Sequence, residues 1–424
     1  MATAMAVKAR SRADGHRLMA KAVPAGAGAA RLVGAALVLL FGGAAVASTG
    51  YAAVNRGGAP NRALAVAPWD ARAHSRRAEQ AMADGQLSGP VVATAKADAM
   101  AALRRDPTLV ASWRTLGLLA AARGDATGAG RLFAVAERRS RRDLLTQIWL
   151  IEDRVQHGDI VRALRHYDIA LRTNPSGHDV LMPILVAAAG QPAVAPALGR
   201  LLQSRPPWTG NYYYRLSQAI PDASVMAGML EVARRGGPLA NAETIAGMLP
   251  VLVERRDYAA ALRIAGVLSG SAVQLPKGVW NGDFTAESGY PPLDWAVTQA
   301  DGFGAEFRGT AAGGRALVAF AASENSGTVA RQVLMLAPGT YRLTVRVART
   351  DLPPATLRWR VACAQAAEVP LVDAASDPAR ARAGAWTFLV PVNCPAQWLS
   401  VDATSSDPGG SETAIERVAV AAAS

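Results

Sequence analysis

Between residues 63 and 270, alanine, leucine and other apolar residues recur three and four positions apart. That spacing gathers them on one face of an α-helix. From residue 274 the period drops to two. Tyr341, Leu343, Val345 and Val347 alternate with Arg342, Thr344 and Arg346, as in a strand buried on one face only. Leu357, Trp359, Val361 and Cys363 repeat the alternation, as do Leu399, Val401 and Ala403. Pro338-Gly339 and the run Asp407, Pro408, Gly409, Gly410 supply turns between such runs. The pattern predicts a helical array followed by several short strands in an antiparallel sandwich or jelly roll. The stretch VWNGDFTAESGYPPLDW, 279–295, falls where the period changes. It is expected to open the β part, with 279–284 as a first strand, Tyr290-Pro291-Pro292 as the turn and Asp294-Trp295 starting the next strand.

A third pattern precedes both. No charged residue lies between Arg31 and Arg56, and a helix over 32–54 would span roughly 35 Å at 1.5 Å per residue, enough for a bilayer core. Residues 1–31 carry Lys8, Arg10, Arg12, Arg17, Lys21 and Arg31 against Asp14, which favours a cytoplasmic N-terminus. The expectation is a bacterial inner-membrane protein crossing once, with the bulk of the chain in the periplasm. Ala45-Val46-Ala47 also resembles a signal peptidase site, so a cleaved leader stands as the alternative to an anchor.

Within the helical part, Gly124-Asp125 recurs as Gly158-Asp159, a shift of 34 residues. Ala129, Phe133 and Ala136 match Ala163, Tyr167 and Ala170 at the same shift, and Ala95, Ala99 and Ala102 fall in that register one step earlier. Asp106-Pro107 and Asn174-Pro175 close two units, while Trp113, Leu116 and Gly117 sit inside the first helix of theirs. This resembles the tetratricopeptide repeat, two antiparallel helices in 34 residues. Small residues allow close helix approach, an aromatic fills the gap and proline ends the second helix. A looser unit follows over 177–205, and the run 256–262 suggests a last one. SRPPWTGNYYYRL, 204–216, breaks the register and reads as a loop with irregular helix. The array is bounded by Pro68-Trp69 and Ser269-Gly270. The resemblance implies a surface for protein partners, and Trp113, Leu116, Gly117, Gly124, Ala129, Phe133, Ala136, Gly158, Ala163, Tyr167, Ala170 and Pro175 as packing residues.

Asn281-Gly282-Asp283-Phe284, followed by a prolyl loop and Trp295, resembles the opening of galactose-binding-like jelly rolls, the fold of many carbohydrate-binding modules. LAPGTYRLTVRV, 336–347, is similar to their central strand and TAIERVAV, 413–420, to their closing strand. The resemblance covers 274–424 and implies sugar recognition. Many such modules also hold a structural calcium with an acid after the first phenylalanine and acids near the closing strand. Here Thr285 follows Phe284, while Glu287, Glu412 and Glu416 remain.

Composition changes this picture little. The chain has 424 residues and a net charge of +12, with twelve basic and fourteen acidic residues from Gln274 onward. Only Lys8, Lys21, Lys96 and Lys277 are lysines; the arginine excess beside so much alanine reads as coding bias, and no nucleic-acid partner is expected. RRSRRD, 138–143, is either an anion-binding patch or a solvated turn between helices. His157, His166 and His178 have no metal-ligand spacing, and no metal or cofactor is expected. The only cysteines, Cys363 and Cys394, would close a 31-residue loop in an exported domain, or else stand as two buried thiols.

Nucleophile, metalloprotease and phosphate-loop motifs are absent from the sequence, so the chain is expected not to be an enzyme. Asp294 and Asp402 are the carboxylates that would serve glycoside chemistry if the fold paired them. Sugar sites use aromatic rings against pyranose faces. Of the tryptophans after residue 274, Trp295 and Trp359 read as core; Trp280, with Tyr290, is the better candidate for an exposed glycan platform. The reading is a membrane-anchored periplasmic scaffold for envelope polysaccharide assembly or export, binding protein partners through its repeats and a polysaccharide through its sandwich. The alternative is a protein-only scaffold whose sandwich serves structure or dimerisation.

Overall fold

The computed structural model describes residues 25–83, 88–270, 278–286, 289–310, 313–348, 350–376 and 383–423. The basic stretch expected at the N-terminus and Glu287 lie mostly or wholly outside these. The chain divides into two compact units, Met1–Ser140 and Arg141–Ser424. The division falls inside the helical array rather than at its end.

In the first unit α1 (Ala25–Asn55) contains the apolar window Val38–Asn55, long and apolar enough to cross a membrane. Its Val38, Leu39, Leu40 and Phe41 side chains are exposed. After α2 (Pro60–Val66) come two hairpins, α3 (Ala71–Ala83) with α4 (Gly89–Arg105) and α5 (Val110–Ala122) with α6 (Ala126–Arg139). Ala95, Ala99 and Ala102 on α4 and Ala129, Phe133 and Ala136 on α6 are fully buried. A Cβ added at Gly117 on α5 would lie 2.8 Å from the Phe133 ring, so the missing side chain is what lets the ring lie on the α5 backbone. Trp113 and Leu116 are half-buried, and the Trp113 indole donates to the Pro107 carbonyl at 2.9 Å.

The recurring Gly-Asp pair has a local cause. Gly124 ends its helix with a φ of +78° and Gly158 with +70°, a conformation that costs glycine nothing. The next residue caps the following helix: Asp125 accepts from the Gly128 amide at 2.7 Å and Asp159 from that of Arg162 at 3.1 Å, each satisfying a free helix-terminal donor.

The second unit continues with α7 (Leu144–Gln156), α8 (Ile160–Thr173), α9 (His178–Ala188), α10 (Ala195–Leu202), α11 (Thr209–Ala219), α12 (Ala223–Arg234), α13 (Ala242–Ala246), α14 (Met248–Glu254) and α15 (Tyr258–Ser269). Fourteen helices thus follow α1 among the described residues. Ala163, Tyr167 and Ala170 on α8 are buried, and Pro175 opens a short 3-10 turn before α9. Of the segment expected as a loop with irregular helix, 204–208 is the loop, and the rest belongs to the regular helix α11. Trp208, Tyr212, Tyr213 and Leu216 form its buried face, and this aromatic volume replaces the small-residue pattern of the earlier repeats.

Among the described residues eleven strands make the β part: β1 (Ala296–Val297), β2 (Gln299–Ala300), β3 (Phe303–Gly309), β4 (Arg315–Ala321), β5 (Ser326–Leu334), β6 (Gly339–Ala348), β7 (Thr356–Cys363), β8 (Ala366–Ser376), β9 (Ala383–Val390), β10 (Gln397–Thr404) and β11 (Ser411–Ala422). They form two antiparallel sheets, in the orders β1-β5-β10-β7-β8 and β2-β3-β4-β11-β6-β9. Their inner faces enclose one core that includes Phe284, Trp295, Leu343, Trp359, Leu399 and Ile415. The alternation expected at 341–347, 357–363 and 399–403 is that of β6, β7 and β10.

The expected first strand is corrected. Residues 280–283 form a turn, with Asn281 and Phe284 at φ of +49° and +59°, which strand pairing cannot accommodate. Three bonds hold that turn in place of a ladder: the Trp280 amide donates to the Gln332 side chain at 2.8 Å, and that side chain donates back to the Trp280 carbonyl at 2.9 Å. The Val418 amide donates to the Gly282 carbonyl at 2.7 Å. Helices and sandwich share packing in this unit, since Leu293, Val333 and Ala396 belong to the helical core.

Candidate functional site

Helix α9 is apolar all round. Leu181, Met182, Leu185 and Val186 are buried, yet Val180, Pro183, Ile184 and Ala187, on the opposite stripe, are exposed. An amphipathic helix would put polar residues there. Tyr214 on α11 stands beside this stripe, 60% exposed. Together the two helices line an open groove of about 690 Å³ that includes Pro183, Ala187, Tyr214, Arg215 and Gln218, within the 300–1,000 Å³ range of ligand sites. Its rim is polar and fixed: Arg215 donates to Asp179 at 3.1 Å and to Asn211 at 3.2 Å, and Asn211 meets His178 at 3.2 Å. An apolar floor, one exposed aromatic and an ordered charged rim make a surface suited to a partner side chain or helix. The sequence reading missed it. The signal was available in DVLMPILVAAA, a helix with no polar stripe after Asp179.

Trp280 and Tyr290 are brought together, as walls rather than as exposed platforms. Both are half-buried and line a cavity of about 120 Å³ with Ala265, Gly289, Leu293 and Asp294; Tyr290 packs against the helical core. Burial raises the Asp294 carboxyl above its ordinary range, partly offset by hydrogen bonds. Its oxygens accept from the Trp295 amide at 2.6 Å and the Gly289 amide at 3.1 Å. Asp402 instead accepts from the Thr328 hydroxyl at 2.6 Å. The two carboxylates considered for glycoside chemistry therefore serve different local bonds. Trp295 and Trp359 are core residues, fully buried.

Of the acids left for a calcium ion, the two that the structure describes are engaged elsewhere. Glu412 pairs with Arg308 at 2.9 Å and Glu416 with Arg346 at 3.0 Å, and among the described residues no group of three or more potential ligands converges. The histidines are bonded within the fold: His157 to the Asp153 carbonyl, His166 to Gln147 and His178 to the Leu171 carbonyl. Arg138 and Arg139 form the exposed last turn of α6, where basic residues complement the helix dipole. Cys363 and Cys394 are disulfide-bonded, with Cα atoms 5.5 Å apart, joining the end of β7 to the loop before β10.

No family model matches the chain, and no curated protein does. Among solved structures it is similar to TmCBM61, solved in complex with β-1,4-galactotriose, at 12% identity and a TM-score of 0.26 over 34% of this chain and 97% of that one. A CBM4 structure is similar at 14% identity and a TM-score of 0.27, over 34% and 99%. The enzymatically active domain of bacteriophage CBA120 tailspike protein 4 is similar at 15% identity and a TM-score of 0.24, over 34% of this chain and 21% of that one.

Proposed function

We propose that this chain is a non-enzymatic scaffold of the bacterial envelope, held in the inner membrane by α1, with its bulk in the periplasm. It takes a protein partner in the α9–α11 groove of a tetratricopeptide-like array and offers its sandwich to an envelope polysaccharide during assembly or export. The observation that carries the reading is the exposed apolar stripe Val180, Pro183, Ile184 and Ala187, of which Pro183 and Ala187 line the groove with Tyr214. Leaving these in water serves no packing purpose, whereas covering them with a partner recovers roughly 25 cal/mol per Å² of apolar surface. Because the helical core takes in Leu293, Val333 and Ala396 of the β part, a partner in the groove would be held in a fixed relation to the sandwich.

For the polysaccharide, support comes from two aromatic rings meeting a carboxylate at the cavity of Trp280, Tyr290 and Asp294. Rings pack on pyranose faces while acceptors bond hydroxyls. At about 120 Å³ the cavity suits one end of a glycan rather than a whole chain segment. The same half-burial favours a second reading, in which these residues seal the seam between helices and sandwich and the scaffold binds protein alone.

The groove is tested in the native host with a photo-crosslinking residue in place of Tyr214. A discrete adduct is expected, lost on Ala187→Asp in the groove wall and not formed from the same residue at Arg162, an exposed position on α8. Identical adducts from both positions, or none from Tyr214, contradict the assignment.

A further inference from the structure

The two sheets have four edges, and three of them are blunted. Strands β1 and β2, at one edge of each sheet, are two residues long. Strand β8 is longer, but it carries Pro370, Glu368 and Asp373, and its pairing with β7 shifts register twice. These are the devices by which proteins keep edge strands from pairing with another chain. Strand β9, the fourth edge, has none of them. It runs AGAWTFLV, eight residues without a charge or a proline. Its pairing with β6 is unbroken from Val390 opposite Gly339 to Ala383 opposite Arg346. Eight residues of edge strand extend roughly 26 Å.

From these features we infer that β9 is a homodimer seam, pairing antiparallel with β9 of a second copy to join two six-stranded sheets into one. The side chains say why a second copy fits. On the exposed face they grow along the strand from Ala383 and Ala385 to Thr387 and Leu389, the last 62% exposed. Antiparallel self-pairing centred on Trp386 sets each Ala383 opposite the other copy's Leu389 and each Ala385 opposite its Thr387. Small meets large at every exposed pair, and no like charges face one another. Parallel pairing would put leucine beside leucine and leave a gap at the alanines.

The test uses the full chain in detergent. Ala385→Glu with Thr387→Glu places acids directly opposite acids across the seam. Within one copy these positions lie opposite Thr344 and Arg342, where a new carboxylate is tolerated. Sedimentation should show a reversible wild-type dimer and, for the double variant, dissociation at concentrations roughly tenfold higher or more, with an unchanged circular dichroism spectrum. The pair Ala385→Cys with Thr387→Cys should form a covalent dimer on mild oxidation, since opposed strand residues lie within disulfide reach. Wild type that stays monomeric at every concentration reached, or a dimer indifferent to the two glutamates, would overturn the seam.

Discussion

Replacing Phe133 by alanine probes the contact on which the first unit's second hairpin depends. The ring is fully buried and lies against Gly117, where an added Cβ would sit 2.8 to 3.2 Å from three ring atoms. Removing a wholly buried phenylalanine costs about 3–5 kcal/mol, because the cavity left behind adds to the lost transfer energy. Gly117→Ala has two opposed effects. Alanine favours a helix over glycine by about 1 kcal/mol, while forcing the ring away costs about 1–3 kcal/mol. In the wild type the second effect wins. In the Phe133→Ala background no ring is left to displace, so Gly117→Ala should stabilise by about 0.5–1 kcal/mol. Hydrogen exchange of peptides covering α5 and α6 reads each variant locally. At 1.4 kcal/mol per decade, Phe133→Ala should speed exchange there by about two to nearly four orders of magnitude. Gly117→Ala should change sign between backgrounds. Unaltered exchange in Phe133→Ala, or the same Gly117→Ala effect in both backgrounds, would refute the packing scheme.

Further expectations concern the remaining fixed points. Asp98 is buried, which would raise its carboxyl, but hydrogen bonds from Arg77 at 2.6 Å and His74 at 2.7 Å prevail and hold it below its ordinary value. The stability it lends is therefore full above about pH 3.9 and lost as pH falls below that; Asp98→Asn should cost about 1.5–3 kcal/mol at neutral pH and flatten the acid limb of the first unit's unfolding profile. Serine at both Cys363 and Cys394 should lower sandwich stability by about 3–4 kcal/mol in the chain-entropy account of a loop with sequence separation 31, measured by urea unfolding without reductant. A periplasm-active reporter fused after Ser424 should be active with the protein in the membrane fraction; release of a shortened soluble form would show a cleaved leader instead.

What the sequence disclosed follows physical range. Repeat letters were legible because each has a local cause: Gly124 and Gly158 for a left-handed turn, Asp125 and Asp159 for a cap, Phe133 for the hole above Gly117. The strands β6, β7 and β10 announced themselves by alternation. Asn281-Gly282-Asp283-Phe284 was expected as strand because it falls where the apolar period changes to two, while the bonds that make it a turn come from Gln332 and Val418, far along the chain. The α11 aromatics look irregular until α12 and its neighbours give them a core. Trp280 and Tyr290 were expected in the open because nothing in a linear reading sets Ala265 beside them. The α9 stripe drew no reading, since periodicity cannot tell which apolar face a neighbour covers.

The proposed pairing of a protein-binding array with a glycan-binding sandwich meets its most direct test in a titration of the full chain with the native host's envelope polysaccharide, followed by calorimetry and tryptophan fluorescence. Saturable binding is predicted, weakened by Trp280→Ala and by Tyr290→Ala while circular dichroism stays unchanged. Absence of heat and of any fluorescence change up to millimolar sugar would contradict it and leave the chain a scaffold for protein alone.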